Sequence, residues 1–246
     1  MTAATLRALH VPGRPLLLPN AWDAASALLV EQAGFPAVAT SSAAVAESLG
    51  YQDGEGAPPT EMFDAVRRIT RVVTVPVTVD AESGYGLPAT ELAERIAEAG
   101  AVGCNIEDTN HKTGNIADIT SQADKLAALR AADPTLVINA RIDLFLYTQD
   151  PNSVLDEAIE RAQAYRAAGA DCVYPILVKS ADILKAIVDA AGPVNGNLMP
   201  SGPDLSTLAA AGVARISLGT GLWRLTQQST RRTLKHLAAG ISPYED

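Results

Sequence analysis

Short apolar runs rich in β-branched residues alternate along this chain with longer Ala-rich stretches of helical period, and the alternation occurs eight times. The runs are Leu16–Pro19, Ala37–Ser41, Val75–Asp80, Gly103–Glu107, Leu136–Arg141, Cys172–Ile176, Val194–Leu198 and Arg215–Leu218. Strand-sized runs, each followed by a helix, predict parallel β/α units. Four of the helical stretches end just before the next run in Gln32-Ala33-Gly34, Glu98-Ala99-Gly100, Ala167-Ala168-Gly169 and Ala210-Ala211-Gly212. A glycine there supplies the left-handed residue that turns a helix back toward the sheet. A doubly wound open sheet also contains such units, but it carries a glycine-rich phosphate turn after its first strand. Here that place reads Pro19-Asn20-Ala21-Trp22. The expected fold is therefore α/β, a (β/α)8 TIM barrel, as a single domain over 1–246, a length usual for one barrel.

Composition narrows the picture. The chain is 48% hydrophobic and 19% charged, as globular domains are, and no apolar run approaches the roughly 20 residues of a membrane helix. The segment Met1 to Pro15 resembles neither a signal peptide nor a transit peptide, so no membrane partner and a cytoplasmic location are expected. A net charge of −9, with no basic stripe, argues against nucleic acid as a partner. Cys104 and Cys172 each sit inside an apolar run, where they read as small buried hydrophobes rather than a disulfide pair. The one long loop rich in Gly, Pro and acids between β units is Gly50 to Pro59, and loops of that size often carry function.

In such barrels the chemistry sits at the C-terminal ends of the strands. The third run ends Asp80-Ala81-Glu82-Ser83-Gly84-Tyr85-Gly86, the fourth Glu107-Asp108, and the fifth Asn139-Ala140-Arg141-Ile142-Asp143. Clustered carboxylates repel one another unless a proton or a cation compensates, and an all-oxygen set suits Mg2+ or Mn2+ better than zinc. Arg141 would offer a planar fork to a substrate carboxylate. The alternative for each acid taken singly is that it caps the following helix or pairs with Arg141; their joint placement favours a site. Asp108 reads as a cap pointing away from Glu107.

At these residues the chain resembles the phosphoenolpyruvate mutase / isocitrate lyase superfamily over nearly its whole length. The resemblance rests on Leu18-Pro19-Asn20-Ala21-Trp22-Asp23, Ser48-Leu49-Gly50-Tyr51-Gln52-Asp53, Val79 to Gly86, Asn105-Ile106-Glu107-Asp108, Asn139 to Asp143, and Arg215-Ile216-Ser217-Leu218-Gly219. It implies a Mg2+-dependent barrel that stabilises an enolate of pyruvate, or an oxalate-like fragment, while a C–C or P–C bond forms or breaks. By position, Asp80 would be the direct metal ligand, with Glu82, Glu107 and Asp53 holding the metal or its waters. The backbone around Ser42, Ala43 and Ala44 would seat the substrate carboxylate, together with Arg141 and Asn197. The catalytic set implied is Arg141, Lys112 and Glu107. A terminal helix that crosses between subunits is common in this superfamily, so Leu222 to Ala239, within a helical segment of about 222–246, is the candidate for exchange in a homotetramer or dimer. An ordinary helix with a solvated basic face, formed by Arg231, Arg232 and Lys235, is the alternative.

Departures from the superfamily pattern limit the reaction. The lyase branch carries a loop cysteine as acid/base, where this chain has Thr113 within His111-Lys112-Thr113-Gly114-Asn115. An ordinary hydroxyl does not deliver a proton near neutral pH as a tuned thiol does. Ile176 stands where that branch has a glutamate, and Asn197 is followed by Leu198-Met199-Pro200. Lys112 reads either as a contact to a phosphonate or second carboxylate or as a solvated loop lysine, and His111 as a surface histidine or an acid/base. His10 and His236 receive no role. Three functions are compatible with these residues. One is a lyase cleaving a C–C bond beside a 2-oxo or 2-hydroxy carboxylate; one is a mutase or hydrolase of a P–C bond; the third is a barrel that binds metal and carboxylate without turnover.

Overall fold

The computed structural model describes residues Thr2 to Tyr244; Met1, Glu245 and Asp246, the extremes of the expected domain and terminal segment, lie outside the described residues. Every one of the eight apolar runs contains a strand. The strands are β1 (Leu16–Leu18), β2 (Asn20–Ala21), β3 (Val38–Thr40), β4 (Val77–Asp80), β5 (Gly103–Ile106), β6 (Thr109–Asn110), β7 (Asn115–Ile116), β8 (Val137–Ile142), β9 (Cys172–Pro175), β10 (Asn195–Asn197) and β11 (Arg215–Ser217). Six of them form a parallel sheet in the order β2-β3-β4-β5-β8-β9, and three form a second in the order β1-β11-β10. With helices between the successive strands of these two sheets, β1 and β2 excepted, this is a TIM-barrel-like α/β fold. The two sheets adjoin at β1 and β2, which only Pro19 separates, and at a parallel bridge between Val173 and Val194. Proline has no N–H to give, so the first run is broken there into two short strands. The pair β6 and β7 is a small antiparallel hairpin that the apolar pattern does not foretell.

Alternation along each strand decides which residues face the helices and which face the site, because successive side chains point to opposite faces. Val79 and Ala81, Cys104 and Ile106, and Ile138, Ala140 and Ile142 pack into the main apolar cluster, against Leu92, Ile96, Leu126, Leu129 and Tyr165 from the helices. Fully buried side chains such as Ile96, Leu126 and Ile138 each contribute about 1.5–3 kcal/mol through removal from water. The residues between them therefore share the other face: Thr78, Asp80 and Glu82; Gly103, Asn105 and Glu107; Val137, Asn139, Arg141 and Asp143. The far end of that face is filled by Leu6 of the helix Ala3–Ala8, packed on Leu16, Leu18, Ala37, Ala39 and Val137. Cys104 and Cys172 are free and buried, as expected, and burial pushes the Cys172 thiol up to about 12.

The expected glycine turns are present: Gly34, Gly100, Gly169 and Gly212 all have positive φ. Gly169 is the most constrained, with φ +102° and a notional Cβ only 2.9 Å from Arg130 Cγ. Arg130 cannot yield easily, since its Nε and Nη2 donate to Gly169 O at 3.1 and 2.9 Å and Nη2 also to Asp171 at 2.7 Å. Gly169→Ala is expected to cost about 1–2 kcal/mol from backbone strain alone, read as a lower urea midpoint at unchanged m. An unchanged midpoint would show that this turn relaxes.

Candidate active site

Asp80 ends β4 with its backbone N–H donating to Thr40 Oγ1 at 2.9 Å. Its Oδ2 accepts from the backbone N and Oγ of Ser42, at 3.0 and 2.9 Å, at the start of the helix Ser42–Leu49. Ser42 Oγ also lies 3.2 Å from Asp53 Oδ1, and its one proton serves only one of the two carboxylates at a time. Asp53 reaches the cluster from the Gly50–Pro59 loop. Partial desolvation of its carboxyl, and then the charge of Asp80, push Asp53 above the usual carboxylate range.

Glu82 follows two residues later, buried and in the left-handed region at φ 48°. Its Oε2 accepts from the backbone N of Glu55, itself at φ 61°. The Glu55 carboxylate in turn takes Ser83 Oγ at 2.5 Å and Tyr85 N at 2.6 Å, and Tyr85 is a third non-glycine residue at positive φ. Three such residues in one knot represent backbone strain of on the order of 1–3 kcal/mol each, held in place by these hydrogen bonds. Burial, followed by the charges of Asp53 and Asp80, raises the Glu82 carboxyl to about 7 despite the Glu55 N–H.

Glu107, at the end of β5, is buried and faces two partners. Oε2 meets His111 Nε2 at 2.8 Å, and Oε1 pairs with Arg141 Nη1. Burial pushes Glu107 upward, while Arg141 and His111 pull it back toward the ionised form. The hydrogen bond that Glu107 accepts raises the His111 imidazole above its ordinary value. Arg141 is held from its other side by the fully buried Asp143, through Nε at 2.5 Å and Nη2 at 3.2 Å. Burial opposes its charge, but Glu107 and Asp143 together raise Arg141 further, so the guanidinium is a fixed cation. Asp143 is anchored by Thr109 Oγ1 and by its own N–H, which donates to Asp108 Oδ1 at 2.9 Å. Asp108 Oδ2 accepts from Tyr165 OH at 2.8 Å and Arg161 Nη1 at 3.2 Å.

Of the residues singled out in the sequence, the structure thus joins Asp80, Asp53 and Ser42 in one hydrogen-bonded group, and Glu107 with Arg141 in another. Glu82 connects to the second through its carbonyl, which accepts from Glu107 N at 2.8 Å. Ala43 and Ala44 lie in the first turn of the Ser42–Leu49 helix, where Ala44 N meets Ser41 Oγ at 3.5 Å. Asn197 accepts from Leu177 N at 3.0 Å and donates to Tyr174 OH, so it braces Tyr174 within the sheet. Lys112 is exposed on the β6–β7 turn, its Nζ 3.5 Å from where a Gly86 Cβ would stand, and it forms no ion pair with a described residue. Thr113 is exposed on the same turn, and Ile176 is half-buried with its N–H on Ile142 O.

Five participants were given no fixed role by the sequence, although two of them, His111 and Asp143, stand in the segments read above. His111 sits four residues beyond Glu107, and Asp143 lies two beyond Arg141 on the same strand face; both spacings were available as signals. Glu55, and the pair Arg161 and Tyr165, arrive from distant segments and left no local signal.

Asp80 Oδ1 and Glu82 Oε1 are buried and have no hydrogen-bond partner. Orphaned anionic oxygens of this kind fit a hard cation or its water shell. Among the described residues no three His, Cys, Asp or Glu side chains gather as a direct-ligand cluster.

A sequence profile described as phosphoenolpyruvate phosphomutase matches residues 6–238. The chain belongs to this family. Among curated relatives of this phosphoenolpyruvate phosphomutase family member, an oxaloacetate decarboxylase of Rhodopseudomonas palustris (strain BisB18) is 34% identical, covering 98% of this chain and 86% of that protein. A 2-methylisocitrate lyase of Escherichia coli (strain K12) is 33% identical over 79% of this chain and 72% of its own. A solved structure from Burkholderia cenocepacia J2315, described provisionally as a phosphonomutase, is 40% identical with a TM-score of 0.89, covering 95% and 99% of the two chains. Membership of the phosphoenolpyruvate mutase / isocitrate lyase superfamily makes the protein an enzyme of the lyase and mutase kind and sets the non-catalytic alternative aside. Among the described residues no helix is long and apolar enough to cross a membrane.

Proposed function

We propose that this enzyme is a Mg2+- or Mn2+-dependent lyase that cleaves the C–C bond beside the carbonyl of a small 2-oxo dicarboxylate, with decarboxylation of oxaloacetate the best-supported case. The observation that carries the reading is the pair of orphaned buried oxygens, Asp80 Oδ1 and Glu82 Oε1, in a site that also holds Arg141 between Glu107 and Asp143. Asp80 would hold the cation directly, and Glu82, Glu107 and Asp53 its waters. When bound, such a cation would supply Lewis acidity for charge that develops on the substrate's oxygens as the bond breaks.

The chain's own groups do the rest. Arg141 offers its remaining N–H donors to the substrate carboxylate, and Asp143 fixes the plane of the fork. At the helix start Ser42 N and Ala44 N already meet Asp80 and Ser41, so of Ser42, Ala43 and Ala44 it is Ala43 whose backbone N–H is offered to the other end of the anion. Loss of CO2 requires no base for the departing fragment, which accords with an exposed Thr113 in place of the lyase cysteine. His111, hydrogen-bonded to Glu107 at 2.8 Å, is assigned as the proton carrier for the enolate carbon. Asn197 positions Tyr174, and Lys112 stands at the entrance on the hairpin turn.

The test is turnover of oxaloacetate by protein stripped of metal and then given Mg2+, corrected for the spontaneous metal-catalysed reaction. Pyruvate formation above that background is expected. Its absence, with an altered 31P signal on phosphonopyruvate, would replace this reading by P–C bond chemistry, the alternative that the Burkholderia relative favours.

Acid–metal linkage gives a second expectation. The Glu82 carboxyl, raised from 4.5 to about 7 when folded, destabilises the metal-free chain once it must ionise. Its contribution is fully present below about pH 4.5 and is lost as pH rises through about 7, on the order of 2–3 kcal/mol. Chelated protein should therefore melt lower at pH 8 than at pH 5.5, and Mg2+ should raise Tm more at the higher pH. An equal Mg2+ effect at both would count against Glu82 as part of the cation's surroundings.

The assembly follows the same superfamily logic. The two sheets are proposed to close into one (β/α)8 ring and a single domain, supported by their junctions at Pro19 and at Val173–Val194. The helix Gly221–Ala238 has no buried residue, yet it exposes Leu225 and Leu234 at 62% and 58%. It touches the rest of the chain through Trp223, edge-on to Trp22 at 5.1 Å. Such a helix is suited to exchange between subunits of a cytoplasmic homotetramer or dimer. Light scattering that gives a monomeric mass would remove that assembly.

A further inference from the structure

Tyr174 lies on β9 directly beside Arg141 of β8, with which it is paired in the parallel register. Its neighbour Val173 packs into the main apolar cluster, so alternation puts the Tyr174 side chain on the other face, the one that carries Arg141. Among the charged groups, Arg141 acts on the phenol most strongly, followed by Asp80. The ring is buried at 3% exposure, and its oxygen meets Asn197 Nδ2.

The backbone decides which partner donates in that bond. Asn197 Oδ1 accepts from Leu177 N at 3.0 Å, and Asn197 Nδ2 also reaches Ser217 O at 3.5 Å. Reversing the amide would set its NH2 against an N–H and its oxygen against a carbonyl, so only one orientation satisfies both. Leu177 stands at φ 62°, a left-handed conformation that its bond to Asn197 holds in place. Asn197 therefore donates, the Tyr174 oxygen accepts, and the phenolic proton is left to point elsewhere. No described residue takes it: Asp80 Oδ1 stays without a partner, and Asn197 Nδ2 is the one group bonded to the hydroxyl. Burial pushes the phenol up to about 12, so at neutral pH the proton is in place. A buried donor with nothing to donate to calls for an acceptor that arrives with a ligand.

We propose that Tyr174 is a substrate-binding residue whose hydroxyl donates a hydrogen bond to an anionic oxygen of the carboxylate that Arg141 grips. The inference deepens the function proposed above and rests on it, since that carboxylate is the one assigned to Arg141. The guanidinium supplies charge, and the phenol supplies a neutral donor of fixed direction from the adjoining strand. Asn197 acts through Tyr174 as a positioning residue: by occupying a lone pair of the phenol oxygen it turns the O–H toward the anion.

Oxalate is the probe, since its two carboxylates present anionic oxygens without turnover. Calorimetric titration of the intact chain with oxalate in excess Mg2+ should give a Kd that Tyr174→Phe weakens about 10- to 100-fold, as expected for a lost hydrogen bond to a charged acceptor. The kcat/KM on oxaloacetate should fall by a similar factor. The ligand-free Tm should drop by only a few degrees, because the ring remains and only Asn197 loses an acceptor. Equal oxalate affinity in the variant and the unaltered chain, with or without a lower Tm, overturns the role of Tyr174 and leaves the proposed function standing. An unaltered chain that binds no oxalate with Mg2+ overturns both. If Tyr174→Phe does not fold, crystals of the unaltered chain with Mg2+ and oxalate decide: the Tyr174 hydroxyl should lie within hydrogen-bond distance of an oxalate oxygen, and a water in that position overturns the proposal.

Discussion

Asp80→Ala should lower kcat/KM on oxaloacetate by about 1000-fold, the loss expected when a cation supplying several kcal/mol of charge stabilisation is no longer held. Asp80 contributes the unpartnered Oδ1 and organises its surroundings through Oδ2, which holds Ser42 N and Oγ. The variant removes one negative charge from a cluster of carboxylates but also takes the acceptor from Ser42 N, and with these effects opposed the metal-free protein should melt within a few degrees of the unaltered chain. What it should lose is the rise of Tm on adding Mg2+. These two readouts separate a ligand from a structural residue: a structural role would lower Tm with or without the cation. Turnover close to that of the unaltered chain would remove Asp80 from the centre of the site.

The parts of this site that were legible in the sequence are those that depend on strand period. Thr78, Asp80 and Glu82 alternate with Val79 and Ala81, and Asn139, Arg141 and Asp143 with Ala140 and Ile142. Once the apolar members are assigned to the helix-covered face, the polar members must face the site and the last of them must lie at the strand end. The eight strands were legible for the same reason, since each is an apolar run long enough to stand out. The β6–β7 hairpin was not, because two polar two-residue strands leave no hydrophobic periodicity. Glu55 was not, because its role arises from a loop folding back onto a turn 27 residues away. His111 reads as a surface residue until the hairpin brings its ring onto Glu107. Arg215 reads only as the first residue of the eighth run, and the folded chain shows that its guanidinium lies inside.

The largest effect on stability is expected at Asp108, which the sequence read as a helix cap and the structure places at the centre of a buried network. It touches neither Asp80 nor Glu82. Its Oδ1 takes the Asp143 N–H, and its Oδ2 takes Tyr165 OH and Arg161 Nη1 from the helix Leu155–Ala167. Burial, and then the charge of Asp143, raise its carboxyl to about 6. It is nonetheless ionised at neutral pH, where Arg161 at 5% exposure needs the charge. Asp108→Ala would leave a buried N–H, a buried hydroxyl and a partly uncompensated guanidinium, at a cost of about 3–5 kcal/mol and a fall in Tm of about 10 °C. Asp108→Asn keeps an acceptor for Asp143 and should cost less. The same network explains why the damage should reach catalysis. Asp143 fixes the Arg141 fork, so the folded Asp108→Asn enzyme should show a raised KM for the dicarboxylate with a smaller change in kcat. A substitution that lowers Tm but leaves KM untouched would mean that Thr109 alone suffices to hold Asp143, and that Asp108 serves packing rather than the orientation of Arg141.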